Sequence, residues 1–456
     1  MPATPAGGVR RCRESGSVMI VAVLILLVVT ATALLLASSM RVEVRASANH
    51  VEAAAAASAA EGAVRYVMSV LAAEPGVMPD AEDLQAEGVI VGDAAYWLIR
   101  PAADGAGYEP GIADEAGKLH LNRADVDALL ALPGVTQEMA DSLIAWRTFE
   151  EEAMDLPGAG AEHYLLLDPP YLPKHSPLES VEELLLIRGW SRAILFGEPE
   201  DDGDDDTAAR RTLTGSVETD AGLYDFLTVY SHETPPADAI NVNDPDRDAL
   251  RDLLEAELSG ERFDAVWSNL GGSQSGNNRE TYESMLDFFV DSGMTAEEFD
   301  ALASRLTIDE TGPRFGRINV NTASETVLAT LPGLDASDAA ALVDARVGLD
   351  PSTAEGEASS LAWIVEVIGD DKAFEAGPHL TDRAAQFTVD VVAIGRTGRA
   401  FKRYRVVIDT ASEATRVVRW SDWTERGWPL DPELREALRG GMPLEEAVGL
   451  YGKVEP

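Results

Sequence analysis

Residues Val18 to Ala37 are almost wholly Val, Ile, Leu, Met and Ala, with no charge among them. Such a run meets the roughly 20 residues that a helix needs to cross a bilayer. One end of this chain is therefore committed to a membrane, and everything else must fold beyond that span. Arg10, Arg11 and Arg13 stand before the run and the next charge is Arg41. The positive-inside rule then places the short leader in the cytoplasm and the large body on the far side of the membrane. Ordinary secretion with cleavage after the span is the competing reading, because small residues follow it. The body is acidic, with a formal net charge of -43 over 456 residues. Unpaired carboxylates repel a phosphate backbone, so nucleic acid is a poor ligand for such a surface. The only cysteine, Cys12, lies in the leader, and the fold stands without an intrachain disulfide.

Beyond the span the sequence stays helix-forming, with alanines from Ala53 to Ala57 and at Ala59, Ala60 and Ala63, until Glu74-Pro75-Gly76 stops it. Span and extension together predict one helix of roughly 55 residues, about 80 Å long. Its alanine stretch from Ala53 to Tyr66 is expected to lie open to partner helices.

Comparison of the chain with itself gives one clear repeat. Gly117 to Arg147 aligns without gaps to Gly316 to Arg346, and Asn122, Ala124, Leu129, Leu132, Pro133, Gly134, Ala140, Leu143 and Arg147 each have an identical counterpart. A weaker copy opens at Ile240-Asn241-Val242-Asn243-Asp244. Each copy reads as a short extended piece, an Asn or Thr cap, a helix, a Leu-Pro-Gly turn and a second helix, because proline ends a helix and glycine tolerates positive φ. Thr322 and Glu325 have capping-box spacing. This is a helix-hairpin-helix pattern. It allows packing and protein contact on one side, and a membrane-anchored DNA receptor of the competence type on the other. Thr136 and Asp335 follow the turns, in place of the glycine and lysines a phosphate would need.

The run from Glu198 to Asp206 is a self-repelling acidic linker, and Gly271 to Asn278 is a second loop. Gln386 to Ile394 and Tyr404 to Ile408 alternate around a turn at Gly395 to Gly398, which predicts a hairpin that Tyr96 to Arg100 would join. Asp244, Asp246 and Asp248 mimic a calcium-loop series without its turn glycine, so helix capping is the simpler role. The six histidines show no metal-ligand spacing, and no phosphate loop, nucleophile elbow or dinucleotide fingerprint occurs. The expectation is a protein that is not an enzyme.

Three stretches resemble a known family. The leader ends in Glu14-Ser15-Gly16 and the apolar helix begins at Ser17, like the signal cut by prepilin peptidase after the glycine. Most mature prepilins carry a Glu where Val21 stands, and the branch without it is the K class of type II secretion minor pseudopilins. Ala59-Ala60-Glu61-Gly62-Ala63 is similar to the stretch where the K-class helix enters its body. Gly160, Ala161, Glu162, Tyr164, Pro169, Pro170, Pro173, Ser180, Glu182, Glu183, Leu184 and Gly189 fit the K-class order of Gly-Ala-Glu, Tyr, a proline loop and Ser-x-Glu-Glu-Leu. Ser180 and Glu183 would cap a helix whose Leu184, Leu185 and Ile187 enter a core.

The resemblance implies an α+β fold in which a long membrane-and-spine helix packs on a small antiparallel pilin-like sheet, interrupted by a large, mostly helical insertion with helix-hairpin-helix, SAM-like repeats. The expected order is a leader at 1–16, the helix at 17–74 and a first part of the α/β domain at 75–116. A first helical insert at 117–197, an acidic linker at 198–215 and a second insert at 216–384 follow, then sheet strands at 385–420 and a tail at 421–456. It further implies cleavage after Gly16, methylation at Ser17, and a single-pass location in a bacterial inner membrane with a periplasmic body. Implied partners are the I- and J-class minor pseudopilins, the major pseudopilin, prepilin peptidase and the inner-membrane secretion platform, with no nucleic acid. The tip or initiator of a pseudopilus is the implied role. In this family the proline loop can hold calcium, which would fall to Asp155, Glu162 and Asp168; solvated surface carboxylates are the alternative.

Overall fold

The structure, a computed structural model, describes residues 15–79, 83–102, 107–153, 156–197, 222–235, 238–272, 281–308, 312–347, 361–412 and 414–454. Helix α1 (Ser15–Ala73) runs unbroken for 59 residues. It ends where the sequence places its stop, with Gly76 at φ +86° turning the chain. Its side chains are exposed from Met19 to Val51. From there Ala56, Ala59, Ala60, Ala63, Val64, Val67 and Leu71 are buried. Steps of three and four residues put these side chains in one stripe along the helix.

The stripe lies on an antiparallel sheet of β1 (Val89–Val91), β2 (Ala94–Pro101), β3 (Tyr108–Pro110), β4 (Ala113–Asp114), β5 (Gln386–Gly395), β6 (Phe401–Asp409) and β7 (Arg416–Asp422). The order is β1-β2-β5-β6-β7, with β3 beside β2 and β4 beside β5. Central pairing is long-range: Leu98 stands opposite Val391 and Tyr96 opposite Ala393. Side chains alternate across a strand. Tyr96, Leu98, Val389 and Val391 therefore face α1, and Ala95, Trp97, Ile99 and Val392 face the other way. After β7 the chain returns to the sheet. Helices Pro432–Arg439 and Leu444–Tyr451 cover that second face with Leu434, Leu438, Leu444 and Ala447, and the Trp97 indole donates to the Gly452 carbonyl at 2.7 Å.

Between β4 and β5 the described residues form three similar units. Each opens and closes on two-residue strands paired in parallel: Leu119–His120 with Leu227–Thr228, Ile240–Asn241 with Leu306–Thr307, and Ile318–Asn319 with Leu380–Thr381. The first contains helices Val126–Leu130 and Gln137–Arg147, and the last contains Glu325–Leu328 and Ala336–Val347. Gly134 (φ +74°) and Gly333 (φ +75°) make the turns between them. The repeated Leu129, Leu132, Ala140 and Leu143 are buried, as are Leu328, Leu331, Ala339 and Leu342. Arg147 donates to the carbonyls of Leu121 and Ala124, and Arg346 to those of Val320 and Ala323. The repeated asparagine is a clamp. Asn122 exchanges two hydrogen bonds with the Leu178 backbone at 2.9 and 2.8 Å, and Asn243 does the same with Tyr282.

The middle unit has a core of its own that Ala362 of the last unit enters, and it lends Leu286 to the core that the first and last units share. Their junction is reciprocal. A Cβ on Gly117 would meet the Thr322 hydroxyl oxygen at 2.8 Å, and one on the aligned Gly316 would meet Arg123 Cβ at 2.7 Å. Two capping expectations need correction. Ser324 caps the helix at 325–328, through a bond from Val327 N at 3.3 Å, because the Thr322 hydroxyl is engaged elsewhere. Ser180 makes no cap bond, and Val181–Leu186 is a 3-10 helix. Glu183 instead accepts from the Glu179 amide at 2.7 Å and from Lys174; Leu184 and Ile187 are buried.

Leu331→Ala or Leu342→Ala leaves a hole where the two helices of the last unit meet and is expected to cost about 2 to 5 kcal/mol. Chemical denaturation followed by tryptophan fluorescence checks this. An unchanged midpoint would show that these leucines do not hold the unit together.

Candidate assembly interface

Helix α1 divides into three stretches. Among the described residues it is the one helix long and apolar enough to cross a membrane, and none of its most apolar window is covered by the rest of the chain. Gly16 and Ser17 lie in its first turn, and the exposed Val21 brings no carboxylate to that end. Ser38 to Val51 then stands clear of the body as about 20 Å of bare helix. Its last turns are clamped on the sheet. Thr397 Oγ1 donates to the Glu52 carboxylate at 2.6 Å, and Gly395 is close enough that a Cβ there would lie 3.2 Å from the Glu52 carbonyl oxygen.

The expected partner surface at Ala53 to Tyr66 is only partly open. Ala56 and Ala60 are fully buried against the chain's own sheet, so a carboxylate at either would break the body and not merely an interface. The face left to partners at this level carries Ala54, Ser58, Glu61, Gly62, Arg65 and Ser69. Small side chains along it permit close approach of another backbone, and the Arg65–Glu61 pair at 3.8 Å is exposed and contributes little by itself.

Buried polar groups lock the helical units onto the sheet, so the body presents its surfaces as one piece. Asp114, at the end of β4, accepts from Ala116 N at 2.8 Å, Asn319 Nδ2 at 2.9 Å and Thr322 Oγ1 at 2.7 Å. Burial outweighs these bonds and raises its carboxyl from 3.8 to about 6. Burial acts the same way on neighbouring Glu115, but Lys118 at 2.5 Å and the hydroxyls of Thr228 and Thr388 outweigh it and hold that carboxyl below its ordinary value. On the same sheet Asp390 accepts from Arg403 at 2.7 Å and Arg405 at 3.0 Å. Arg405 also reaches Asp225 at 2.5 Å, at the end of the first unit, and lies 3.7 Å from the Trp423 ring centroid. A buried charge this well paired is costly to break from one side.

The carboxylates expected to hold calcium do not form a cage among the described residues. Glu162 and Asp168 are both exposed, Asp155 lies outside the described residues, and no three His, Cys, Asp or Glu side chains are grouped to hold an ion among those described. Asp244 and Asp246 accept from the amides of Asp246 and Asp248 at 2.9 and 3.1 Å, which is local turn bonding. The turn between the two helices of the last unit does not suit a phosphate. A Cβ on Gly333 would lie 2.6 Å from the Glu375 carboxylate, and a carboxylate there repels an anion. The DNA-receptor reading has no support.

Residues 112–196 match the family described as type II secretion system (T2SS), protein K. A chain in the crystal structure of the GspK-GspI-GspJ complex from the enterotoxigenic Escherichia coli Type 2 Secretion System aligns at 12% identity, covering 83% of this chain and 99% of that one, with a TM-score of 0.40. No curated protein matches significantly.

The Asp114 junction predicts a pH signature. The native carboxyl, at about 6, holds its proton more tightly than the unfolded one at 3.8. Its contribution to stability is therefore full below about pH 4 and is lost as pH rises through about 6. Urea midpoints of the chain should fall relative to those of Asp114→Asn across that window and run parallel above it. A difference constant with pH would contradict the assignment.

Proposed function

We propose that this chain, whose residues 112–196 match the type II secretion system protein K family, is a minor pseudopilin of the K class that stands at the tip of a periplasmic pseudopilus and initiates it. The observation that carries the reading is the joining of that domain to a helix which is bare and apolar at one end and built into an α/β body at the other. A filament of such subunits packs helix against helix. Without a carboxylate at Val21 this chain has nothing to neutralise the N-terminus of a subunit above it, and the units between β4 and β5 make the body too bulky to be overlaid. Both features suit the last position.

On this reading the leader is cut after Gly16, Ser17 becomes the methylated N-terminus, and the helix anchors the chain once in the inner membrane with its body in the periplasm. The I- and J-class minor pseudopilins would dock along Ser38 to Val51 and the open face that continues from it. The major pseudopilin, prepilin peptidase and the inner-membrane platform complete the set of partners. The hairpins of the first and last units are read as helix-hairpin-helix modules that serve packing and protein contact, and the protein performs no catalysis. Calcium in the proline loop rests on the resemblance of Asp155, Glu162 and Asp168 alone. Calorimetric titration of the chain against calcium decides it, with Glu162→Gln expected to weaken any binding seen.

Processing tests the main reading. Co-expression with a prepilin peptidase should give a mature chain whose N-terminal residue is Ser17, and Gly16→Ala should leave the leader attached. A mature terminus beyond Ala37 would mean ordinary secretion and overturn it.

A further inference from the structure

Six exposed apolar side chains of the body lie within the stretch that matches the protein K family, away from α1. Phe149, Leu165, Leu166, Leu167, Leu172 and Leu186 are all exposed, Leu166 at 87% and Leu172 at 64%. They are set on a rigid base. Tyr164 is fully buried and its ring lies 5.3 Å from that of Trp146 and 5.4 Å from that of Tyr171. Tyr171 N donates to the Tyr164 carbonyl at 3.3 Å and its hydroxyl to the Leu186 carbonyl at 2.8 Å, which brings Leu172 and Leu186 round to the three consecutive leucines. His175 Nδ1 lies 3.2 Å from the Thr148 carbonyl, which holds the Phe149 end to the same loop. A protein interior would have taken these side chains in. An apolar surface this concentrated on a water-soluble body marks a contact site.

Charge selects what can cover it. Glu150, Glu151, Glu152, Glu162 and Asp168 border the leucines and are exposed. The nearby cations are already engaged: Lys174 by Glu179 and Glu183, and Arg188 by Glu138. The border is thus an unneutralised ring of negative charge. A second copy of this chain would bring the same ring against itself and add the repulsion between two chains of formal net charge -43. An anionic membrane surface is repelled in the same way. We propose that this leucine ledge docks a partner protein whose contact surface has an apolar centre bordered by lysine and arginine. The apolar centre supplies the affinity, and the ring supplies orientation and rate of encounter. The inference is independent of the place of the chain in a filament, because it uses no part of α1.

The test uses the full chain in phosphatidylcholine nanodiscs and a fluorescent helical peptide with a leucine face bordered by lysines, its anisotropy corrected for empty discs. A second peptide has glutamate in place of lysine. The lysine peptide should bind and the glutamate peptide should not. Leu166→Ser with Leu172→Ser should weaken binding about tenfold or more without moving the thermal midpoint, since both side chains are exposed. Glu150→Gln with Glu151→Gln and Glu152→Gln should weaken it severalfold and flatten its dependence on salt. Equal binding of the lysine peptide by the leucine variant would show general attraction to an acidic body and overturn the proposal. So would sedimentation showing a dimer that the leucine substitutions dissolve, which would make a second copy the occupant. Binding of the chain to empty anionic vesicles, lost with the same substitutions, would do so in favour of lipid.

Discussion

The fold depends on burying one stripe of a helix that is otherwise bare. A membrane span cannot serve as the core of a water-soluble body, so the same helix must change its solvent along its length. It does so with alanine and valine at Ala56, Ala59, Ala60, Ala63, Val64 and Val67, laid on β2, β5 and β6. The strands that receive it come from both ends of the chain, since β2 follows the helix closely and β5 arrives after all three helical units. The sheet exists only when these ends meet, and its second face is closed by the C-terminal helices. The buried stripe, the sheet and the closing helices therefore depend on one another.

The large insertion could have hung loosely from such a sheet. Buried polar groups prevent that. Asp114 ties the opening of the last unit to β4, Glu115 ties the close of the first unit to β5 through Thr228 and Thr388, and Asp390 gathers Arg403 and Arg405, which reaches Asp225. The first and last units then share a core through reciprocal contacts at Gly117 and Gly316. Surfaces as far apart as the bare helix and the leucine ledge are thereby held at fixed positions on one body.

Much of this was legible in the sequence. The apolar run, the helix stop at Pro75-Gly76, the alternation of β5 and β6 and the repeated leucines each carry a periodicity that survives without tertiary context. What stayed hidden was decided at long range. Alanines surround the helix near Ala56, so no pattern there tells the buried side from the open one; only the arriving sheet does. The partner of Asn122 is Leu178, 56 residues away, and the sequence reads the asparagine as a cap because nothing local points further. Thr322 was lost to its cap for the same reason, since Asp114 claims its hydroxyl from 208 residues away. The helices at 432–451 needed the apolar face of Trp97 and Val392 to have a reason to dock. The leucine ledge was written plainly at Leu165 to Leu167, but an apolar run reads as core until the fold leaves it outside.

In the proposed role this chain joins I- and J-class minor pseudopilins through the bare stretch of α1 and its open continuation. The most direct measurement is light scattering on detergent-solubilised, full-length mature chain mixed with I- and J-class minor pseudopilins. The account predicts a single complex of all three, lost when Ser58 and Gly62 on the open face are replaced by tryptophan while the chain alone keeps its fold. A chain that stays apart from both partners, or a complex indifferent to those two substitutions, would contradict it.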